Sequence, residues 1–301
     1  MRADSSRPRP LLDPRIYQIT VLSGLLIYGL GWLHFDITPG RAALLLSTAL
    51  LTQYVCTKLW RLPKFDPKSA LISGLSLCLL LRTNFAALAI LAAVVTIASK
   101  FLVRWKGKHI FNPTNIGLVF LMLLGAPIWV SPGQWGSVAY FGFLMACLGG
   151  LVVNRAARSD VTYAFLISFA ALQFGRAFWA MQRWEVPIHR LESGALLLFA
   201  FFMISDPKTT PNSRAGRILF AVLVTAFAGF IQFGLYRTNG ILWSLALWSM
   251  AVPLIDRLLP GPRYEWNRVR SKPQPEGVLD EAPSSLRQPA LDRPALGPTG
   301  A

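Results

Sequence analysis

Repeated apolar runs of nearly bilayer length constrain this chain more than any other feature of its sequence. Three of them read ITVLSGLLIYGLGWL, AALLLSTALLTQYVC and FAALAILAAVVTIASKFLV. A helix needs about 20 apolar residues to cross the hydrocarbon core of a bilayer. Only 15% of the residues are charged, whereas a soluble domain carries about a quarter. The sequence therefore predicts a polytopic membrane protein.

The apolar runs predict ten transmembrane helices. They lie near residues 17–34, 40–58, 69–82, 84–103, 114–130, 135–153, 160–178, 190–205, 216–236 and 240–258. The predicted transmembrane domain is thus 17–258, with halves at about 17–130 and 135–258, after a basic cytoplasmic leader at 1–16. Because no small-residue cleavage site follows the first run, we expect that helix to be retained.

The basic residues predict the orientation of these helices. Lys and Arg concentrate in alternate loops, KLWRLPKFDPK, RWKGKH, NRAARSD and DPKTTPNSRAGR, while the other loops are poorer in charge. Cytoplasmic loops carry the excess of Lys and Arg, so both termini are predicted to be cytoplasmic in a plasma (inner) membrane. The net charge of +16 sets topology in this distribution, and no nucleic-acid partner is expected.

The segment 259–301 has a different composition, rich in Pro, Arg, Ser and Glu. Such a segment cannot bury enough apolar surface to fold alone, and it is predicted to be a disordered cytoplasmic tail. Its basic first part would either rest on anionic lipid head groups or be solvated, and the sequence leaves both open.

Two polar turns, HIFNPTN at 109–115 and DPKTTPN at 206–212, each precede an apolar run. In one interpretation they are ordinary capped helix starts. In the other, the positive helix N-termini face a polar site for an anion such as a flavin phosphate, and the Asp206 carboxylate attracts a cation or a proton. The candidate cofactor-binding or ion-pathway residues are Asn112, Thr114, Asn115, Asp206, Lys208, Thr209, Thr210, Asn212 and Arg217, with Lys108 and Arg214 as further cations.

The tripeptide Arg-Thr-Asn occurs twice, at 82–84 and at 237–239, at the predicted outer ends of spans. An inverted five-plus-five repeat would pair the first copy with DPKTTPN and the second with HIFNPTN, which is the arrangement that places transporter sites between two halves. The possible polar residues of this second side are Arg82, Asn84, Arg237 and Asn239. Snorkelling to the interface is the alternative role for the two arginines.

Other classes of site have little support in the sequence. Cys56, Cys78 and Cys147 lie in apolar runs without metal-ligand spacing, so we expect neither a disulfide framework nor a metal site. A haem between His34 and His189 is geometrically possible, although single histidines at helix ends are commonly interfacial. No phosphate-binding loop, dinucleotide fingerprint, zinc-protease motif or nucleophile elbow occurs in the sequence.

Two segments carry a resemblance to a known family. At GKHIFNPTNIGLV and at FFMISDPKTTPNSRAGR, with PLIDR further on, the chain resembles the RnfD/NqrB family of membrane subunits, found in the Rnf electron-transport complex and in the sodium-translocating NADH:quinone reductase. The match extends over about 17–258. The matching residues are Phe111, Asn112, Pro113, Phe201, Phe202, Met203, Asp206, Pro207, Thr209, Pro211, Gly216, Arg217, Pro253, Leu254, Ile255 and Asp256.

The resemblance implies an all-α integral membrane protein of about ten helices, in two inverted five-helix halves similar to urea transporters, with some short or interrupted helices. It implies flavin-linked electron transfer coupled to cation transport, together with other membrane subunits in the bilayer. A channel or transporter of the same fold without a redox role, and a membrane scaffold subunit, are the alternatives.

One departure from the family concerns the flavin. Family members with a covalent flavin attach FMN through a phosphoester to the threonine of a Ser-Gly-Ala-Thr loop. The nearest string here is ESGALLL, with Leu196 at the threonine position. No attachment residue is therefore carried over, and a flavin, whether FMN or riboflavin, would be held without a covalent bond.

Overall fold

The computed structural model describes residues 13–131 and 158–264. Within them lie the helices α1 Pro14–Gly31, α2 Pro39–Leu59, α3 Pro67–Leu80, α4 Ala86–Leu102, α5 Pro113–Leu123, α6 Ser159–Trp179, α7 Glu185–Leu191, α8 Gly194–Leu198, α9 Arg214–Gly229 and α10 Gly240–Leu258. Two π-helical segments, Phe199–Met203 and Phe230–Gly234, continue α8 and α9. The predicted leader, the span at 135–153, Cys147 and the tail beyond 264 lie outside the described residues.

Four helical stretches are long and apolar enough to cross a membrane: Pro39–Leu59, Ser159–Trp179, Arg214–Gly234 and Gly240–Leu258. A fifth arises if Glu185–Leu191 and Gly194–Met203, which meet at a bend of 46°, form one broken span. The prediction of an all-α, multi-pass membrane protein is therefore confirmed. The number of ten spans and the inverted halves stay predictions.

Proline and a short polar cap set the starts of the helices. Asp66 accepts a hydrogen bond from the Lys68 amide at 3.2 Å, and Asn112 accepts one from the Asn115 amide at 3.1 Å. In both helices proline occupies the first position, where its missing N–H is not needed. Pro67 and Pro113 therefore begin α3 and α5 within two residues of the predicted starts.

Helices α3 and α5 are too short to cross the bilayer. With 14 and 11 residues they reach only about 21 and 16 Å, against a hydrocarbon core of about 30 Å. The predicted span 114–130 is wrong at its end, because α5 stops at Leu123 and the apolar residues after it form a loop and a strand. Strands β1 (Leu81–Arg82) and β4 (Trp129–Val130) pair antiparallel beyond the two helices, which gives hydrogen-bond partners to backbone that the helices no longer satisfy.

The other two strands form a hairpin between α4 and α5. Strand β2 (Arg104–Trp105) pairs with β3 (Lys108–His109), and the two residues between them, Lys106 and Gly107, have φ angles of 48° and 78°. Positive φ at both turn positions is typical of a type I′ hairpin. The hairpin carries Lys108 to the turn that precedes α9.

Two glycines allow close helix contacts. Helix α4 packs on α2 and α5, while α9 packs on α6 and α10. A Cβ at Gly117 of α5 would lie 1.9 Å from Thr96 Oγ1 of α4, and one at Gly240 of α10 would lie 2.7 Å from the Ala228 carbonyl oxygen of α9. Each contact therefore requires the absence of a side chain.

Candidate functional site

The first turn of α5 lies at the centre of the described bundle. Asn112 Nδ2 donates to the Met203 carbonyl at 3.3 Å, and Asn115 Nδ2 donates to the Leu242 carbonyl at 3.1 Å. Asn115 is fully buried, and its Oδ1 has no hydrogen-bond partner among the described residues. Both side chains thus join α5 to the π segment after α8 and to α10, while Asn112 also caps α5.

Thr114 connects the same turn to α3. Its Oγ1 donates to the Ser73 carbonyl at 3.4 Å, and the Ser73 hydroxyl donates to the Ser69 carbonyl one turn earlier at 3.1 Å. The predicted grouping of Asn112, Thr114 and Asn115 is thereby placed between neighbouring helices, where all three residues are buried.

The Asp206 turn closes on itself. The Asp206 carbonyl accepts the amides of Thr209 and Thr210, both at 3.1 Å, and also both of their hydroxyls. The carboxylate accepts the Lys208 amide at 2.9 Å, and burial raises the pKa of this carboxyl group. The turn does not cap the next helix, because Ser213 Oγ accepts the Gly216 amide and begins α9. The capped-start interpretation is therefore correct for Asn112 and wrong for Asp206.

Lys108 fixes this turn to the end of α10. Its Nζ donates to Asp256 Oδ2 at 3.0 Å, to Asn212 Oδ1 at 3.2 Å and to the Thr210 carbonyl. Asp256 Oδ1 in turn accepts the Asn212 amide at 2.7 Å. Burial and the nearby Arg158 lower the pKa of Lys108, while Asp256 opposes that shift.

Arg217 is engaged in the same way. Its Nε donates to both carboxylate oxygens of Asp160 at 2.9 Å, and its Nη1 donates to the Asn212 carbonyl at 2.6 Å. The pair joins α9 to the first turn of α6. Lys108 and Arg217, which the sequence offered as anion ligands, therefore direct their donors at the protein itself.

Three contributors to this region were missed in the sequence: Lys100, Asp160 and the pairing of Asp256 with Lys108. Lys100 is 4% exposed in the last turn of α4, and its Nζ donates to the carbonyl and hydroxyl of Ser69, both at 3.1 Å. A lone lysine inside an otherwise apolar run was the available signal for it.

We call the surface formed by 103–112, 204–213 and 259–264 the basic face. The surface formed by 81–85, 124–131, 180–193 and 235–239 is the opposite face. On the opposite face, Arg82 is 2% exposed, and its Nη1 donates to the Cys78 and Leu81 carbonyls at 2.9 Å. Arg82 therefore does not reach the surface as snorkelling requires, whereas Arg237 is exposed. Asn84 is also exposed, and Asn239 donates to Met122 Sδ at 3.5 Å.

A cavity of about 540 Å³ opens below the opposite face, and we call it the outer cavity. Its lining is largely apolar, and polar groups are placed at one side of it. Arg190 Nη1 donates to Gln173 Oε1 at 2.9 Å, and Gln173 Nε2 donates to Gln232 Oε1 at 3.3 Å. The lining includes Leu80, Phe169, Arg190, Ser193, Ala195, Leu196, Met203, Gln232, Arg237, Asn239 and Leu242.

A smaller cleft of about 160 Å³ lies in the basic face, and we call it the inner cleft. Pockets that hold organic ligands of drug size usually measure about 300–1,000 Å³. A flavin therefore fits the volume of the outer cavity and exceeds that of the inner cleft. Met203 and Leu242 line the outer cavity and also accept hydrogen bonds from Asn112 and Asn115, so the predicted polar turn of α5 lies directly behind the cavity wall.

Comparison with known proteins gives a family match in the second half. Residues 125–264 match the NQR2, RnfD, RnfE family. Similar curated proteins are named as the RnfD subunit of an ion-translocating oxidoreductase complex. The Haemophilus influenzae protein (strain Rd) is 29% identical over 140 residues, which are 46% of this chain and 39% of that protein. The Stutzerimonas stutzeri protein is 31% identical with the same coverage, and the Erwinia tasmaniensis protein is 35% identical over 128 residues, 41% of this chain and 34% of that protein.

The aligned segment therefore spans less than half the length of these relatives. It contains α6 to α10, the Asp206 turn and most of the residues that line the outer cavity. The resemblance seen in the sequence motifs is confirmed over this segment. The HIFNPTN turn of α5 lies before it.

Proposed function

We propose that this chain, whose residues 125–264 belong to the NQR2, RnfD, RnfE family, is a membrane subunit of an electron-transport complex that couples flavin-linked electron transfer to cation movement. The names of its relatives support membership of an ion-translocating oxidoreductase complex. The observation that carries the proposal is the outer cavity, because it has the volume for a flavin and lies on the ESGAL segment, where the family motif would be.

The lining of the outer cavity suits a flavin that is held without a covalent bond. Phe169, Met203 and Leu242 offer apolar contacts to a planar ring, and Arg190 and Arg237 supply cations for a phosphate group. Leu196 has no hydroxyl group, so a phosphoester cannot form at that position. A flavin bound here would supply one- and two-electron redox chemistry, while the chain's own residues bind it, orient it and exclude water.

The inverted halves belong to the same proposal. Support comes from equivalent packing, since α4 contacts α2 and α5 as α9 contacts α6 and α10. Further support comes from the short α3 and α5 and from the broken segment at α7 and α8. In this arrangement the polar turn of α5 lies between the halves, and Asn112 and Asn115 would border the cation path. The basic face would be cytoplasmic, with both termini on that side of the inner membrane.

The test is the absorbance and fluorescence spectrum of the detergent-purified full-length chain, before and after acid denaturation. We expect a flavin spectrum whose chromophore is released into the acid-soluble fraction. Arg190→Gln should lower the flavin content several-fold, whereas the matched control Arg183→Gln, which removes an exposed arginine outside the cavity lining, should retain it. A colourless protein from flavin-replete cells would overturn the flavin assignment.

A second candidate is a channel or transporter of the same fold. It is favoured by the position of Met203 and Leu242, which separate the outer cavity from the buried turn of α5 and so have the place of a closed constriction. Solute or cation flux into liposomes by a chromophore-free sample, raised by Met203→Ala, would support it. Absence of flux in both proteins would remove it.

A further inference from the structure

Within the part of the chain that the structure describes, the inner cleft is lined by basic side chains and by no acidic one. Its lining consists of Gly107, Lys108, Pro207, Lys208, Asn212, Arg263 and Tyr264. Three separate parts of the chain meet there: the β2–β3 hairpin, the Asp206 turn and the segment that follows α10. The cleft is therefore a feature of the tertiary structure and not of one loop.

Two of the three cations in the cleft have no anionic partner among the described residues. Lys108 is engaged by Asp256, as described above. The Lys208 side chain makes no hydrogen bond or ion pair within 13–131 and 158–264, and Arg263 donates only to the Lys106 carbonyl, at 2.9 Å. Lys208 is half-buried, so its charge is only partly solvated. A guanidinium and an ammonium group in one cleft repel each other unless an anion lies between them.

The surroundings of the cleft add positive potential. Burial, with Arg104, Lys100 and Lys208, lowers the pKa of His109 to about 4. Burial and Arg217 lower the pKa of Arg158 to about 10. The nearby carboxylates of Asp160 and Asp256 already accept hydrogen bonds from Arg217, Lys108 and the Asn212 amide. Among the residues described, the cations of the basic face thus outweigh the negative charge available to them.

We propose that the inner cleft binds a phosphate group, with Lys208 and Arg263 as its ligands. The volume of about 160 Å³ exceeds the roughly 30 Å³ of a water molecule several-fold and is below the size of organic-ligand pockets, which suits a single phosphate with a few waters. Arg263 offers the planar fork of donors that matches phosphate oxygens, and Lys208 offers a point charge.

The position of the ligands gives the site a consequence. Arg263 follows α10, and the neighbouring Gly261 is packed so closely on the turn that a Cβ there would lie 2.7 Å from Ser213 Cα. A phosphate bound by Lys208 and Arg263 would therefore hold the end of α10 against the Asp206 turn. The phosphate group has two possible sources, a phospholipid head group at the membrane surface or a free phosphate in solution.

The test uses the full-length protein in neutral detergent. Its thermal unfolding is followed with inorganic phosphate, with soluble short-chain phosphatidate, or with chloride at the same ionic strength, and retained phospholipid is quantified by mass spectrometry. A ligand that binds only the folded state raises the melting temperature as its concentration exceeds Kd. We expect phosphate or phosphatidate to stabilise the protein more than chloride, with at least about tenfold weaker binding in Lys208→Gln and in Arg263→Gln.

The matched control is Lys64→Gln, which removes an exposed lysine from the loop between α2 and α3, outside the cleft lining. It should leave the response unchanged. Stabilisation by inorganic phosphate would identify a free-phosphate site. Stabilisation by phosphatidate alone, or retained phospholipid that falls in both cleft variants, would identify a lipid head-group site. Equal responses and equal retained phospholipid in wild type, Lys208→Gln and Arg263→Gln would overturn the proposal.

Discussion

The two faces of the bundle use their polar residues in different ways. On the basic face, Lys108, Arg217 and their aspartate partners form hydrogen-bonded ion pairs that join α6, α9, α10 and the β2–β3 hairpin. On the opposite face, Arg190, Gln232 and Arg237 line a cavity of about 540 Å³. The comparison indicates that the family motif around Asp206 mainly sets the geometry of the basic face, while the space for an organic ligand is on the other side.

The largest effect is expected at the Arg217–Asp160 pair. The side chains of Arg217 and Asp160 are only 10% and 15% exposed, and removing one partner of a buried pair costs about 3–5 kcal/mol because the other charge is left uncompensated. Arg217→Ala should therefore lower the free energy of unfolding by about 3 kcal/mol, measured by denaturant titration in detergent micelles.

The double variant Arg217→Ala with Asp160→Ala provides the control, because it removes both charges. It should be more stable than Arg217→Ala alone. If the single variant loses less than about 1 kcal/mol, as exposed pairs do, the basic face is not held together as proposed.

The next effect compares the two close glycine contacts. Gly240→Ala would set a methyl group against the Ala228 carbonyl, and Gly117→Ala would set one against Thr96 Oγ1. Overpacking of this kind costs about 1–3 kcal/mol. The second substitution should be rescued by Thr96→Ala, since that hydroxyl is buried and has no hydrogen-bond partner among the described residues. Thermal unfolding of the three proteins measures this, and a rescue that fails would refute the contact.

These cases also show what the sequence could predict. Starts of helices were predictable because Pro67 and Pro113 follow capping residues, and the predicted span 160–178 agrees with α6 within one residue at each end. The end of α5 was not predictable from hydropathy, because the residues between Leu123 and Val130 are apolar although they leave the helix.

The candidate site was predictable in its residues but not in its partners. The motifs pointed to Asn112, Asn115, Asp206 and Arg217, all of which are engaged in hydrogen bonds. However, Lys108 and Asp256 are 148 residues apart, and no local pattern connects them. The outer cavity depends on side chains from several elements, so its volume follows from packing and not from any single stretch of sequence.

A smaller effect concerns pH and the basic face. The pKa of His109 falls from its ordinary 6.5 to about 4 in the folded protein. Between these values the unfolded chain binds the additional proton, so stability is complete above about pH 6.5 and is lost as pH falls toward 4. His109→Gln should flatten the stability profile in this window.

The comparison variant is His34→Gln, which removes an exposed histidine from the loop between α1 and α2. Melting temperatures from pH 4 to 7 give both profiles. The difference between the two variants isolates the burial of His109 and the cations around it, Arg104, Lys100 and Lys208. Parallel profiles for both variants and the wild type would show that the basic face does not disfavour protonation of His109.

The smallest effect is expected for the exposed ion pair between Arg183 and Glu185. Its side chains are 85% and 58% exposed, and such pairs contribute about 0–1 kcal/mol because water solvates both charges in the absence of the partner. Arg183→Gln should change the free energy of unfolding by less than about 0.5 kcal/mol in the same denaturant titration as Arg217→Ala. A loss comparable to that of Arg217→Ala would mean that the loop before α7 is buried against another surface in the assembled protein, and the contrast between the two faces would then depend on exposure in this chain alone.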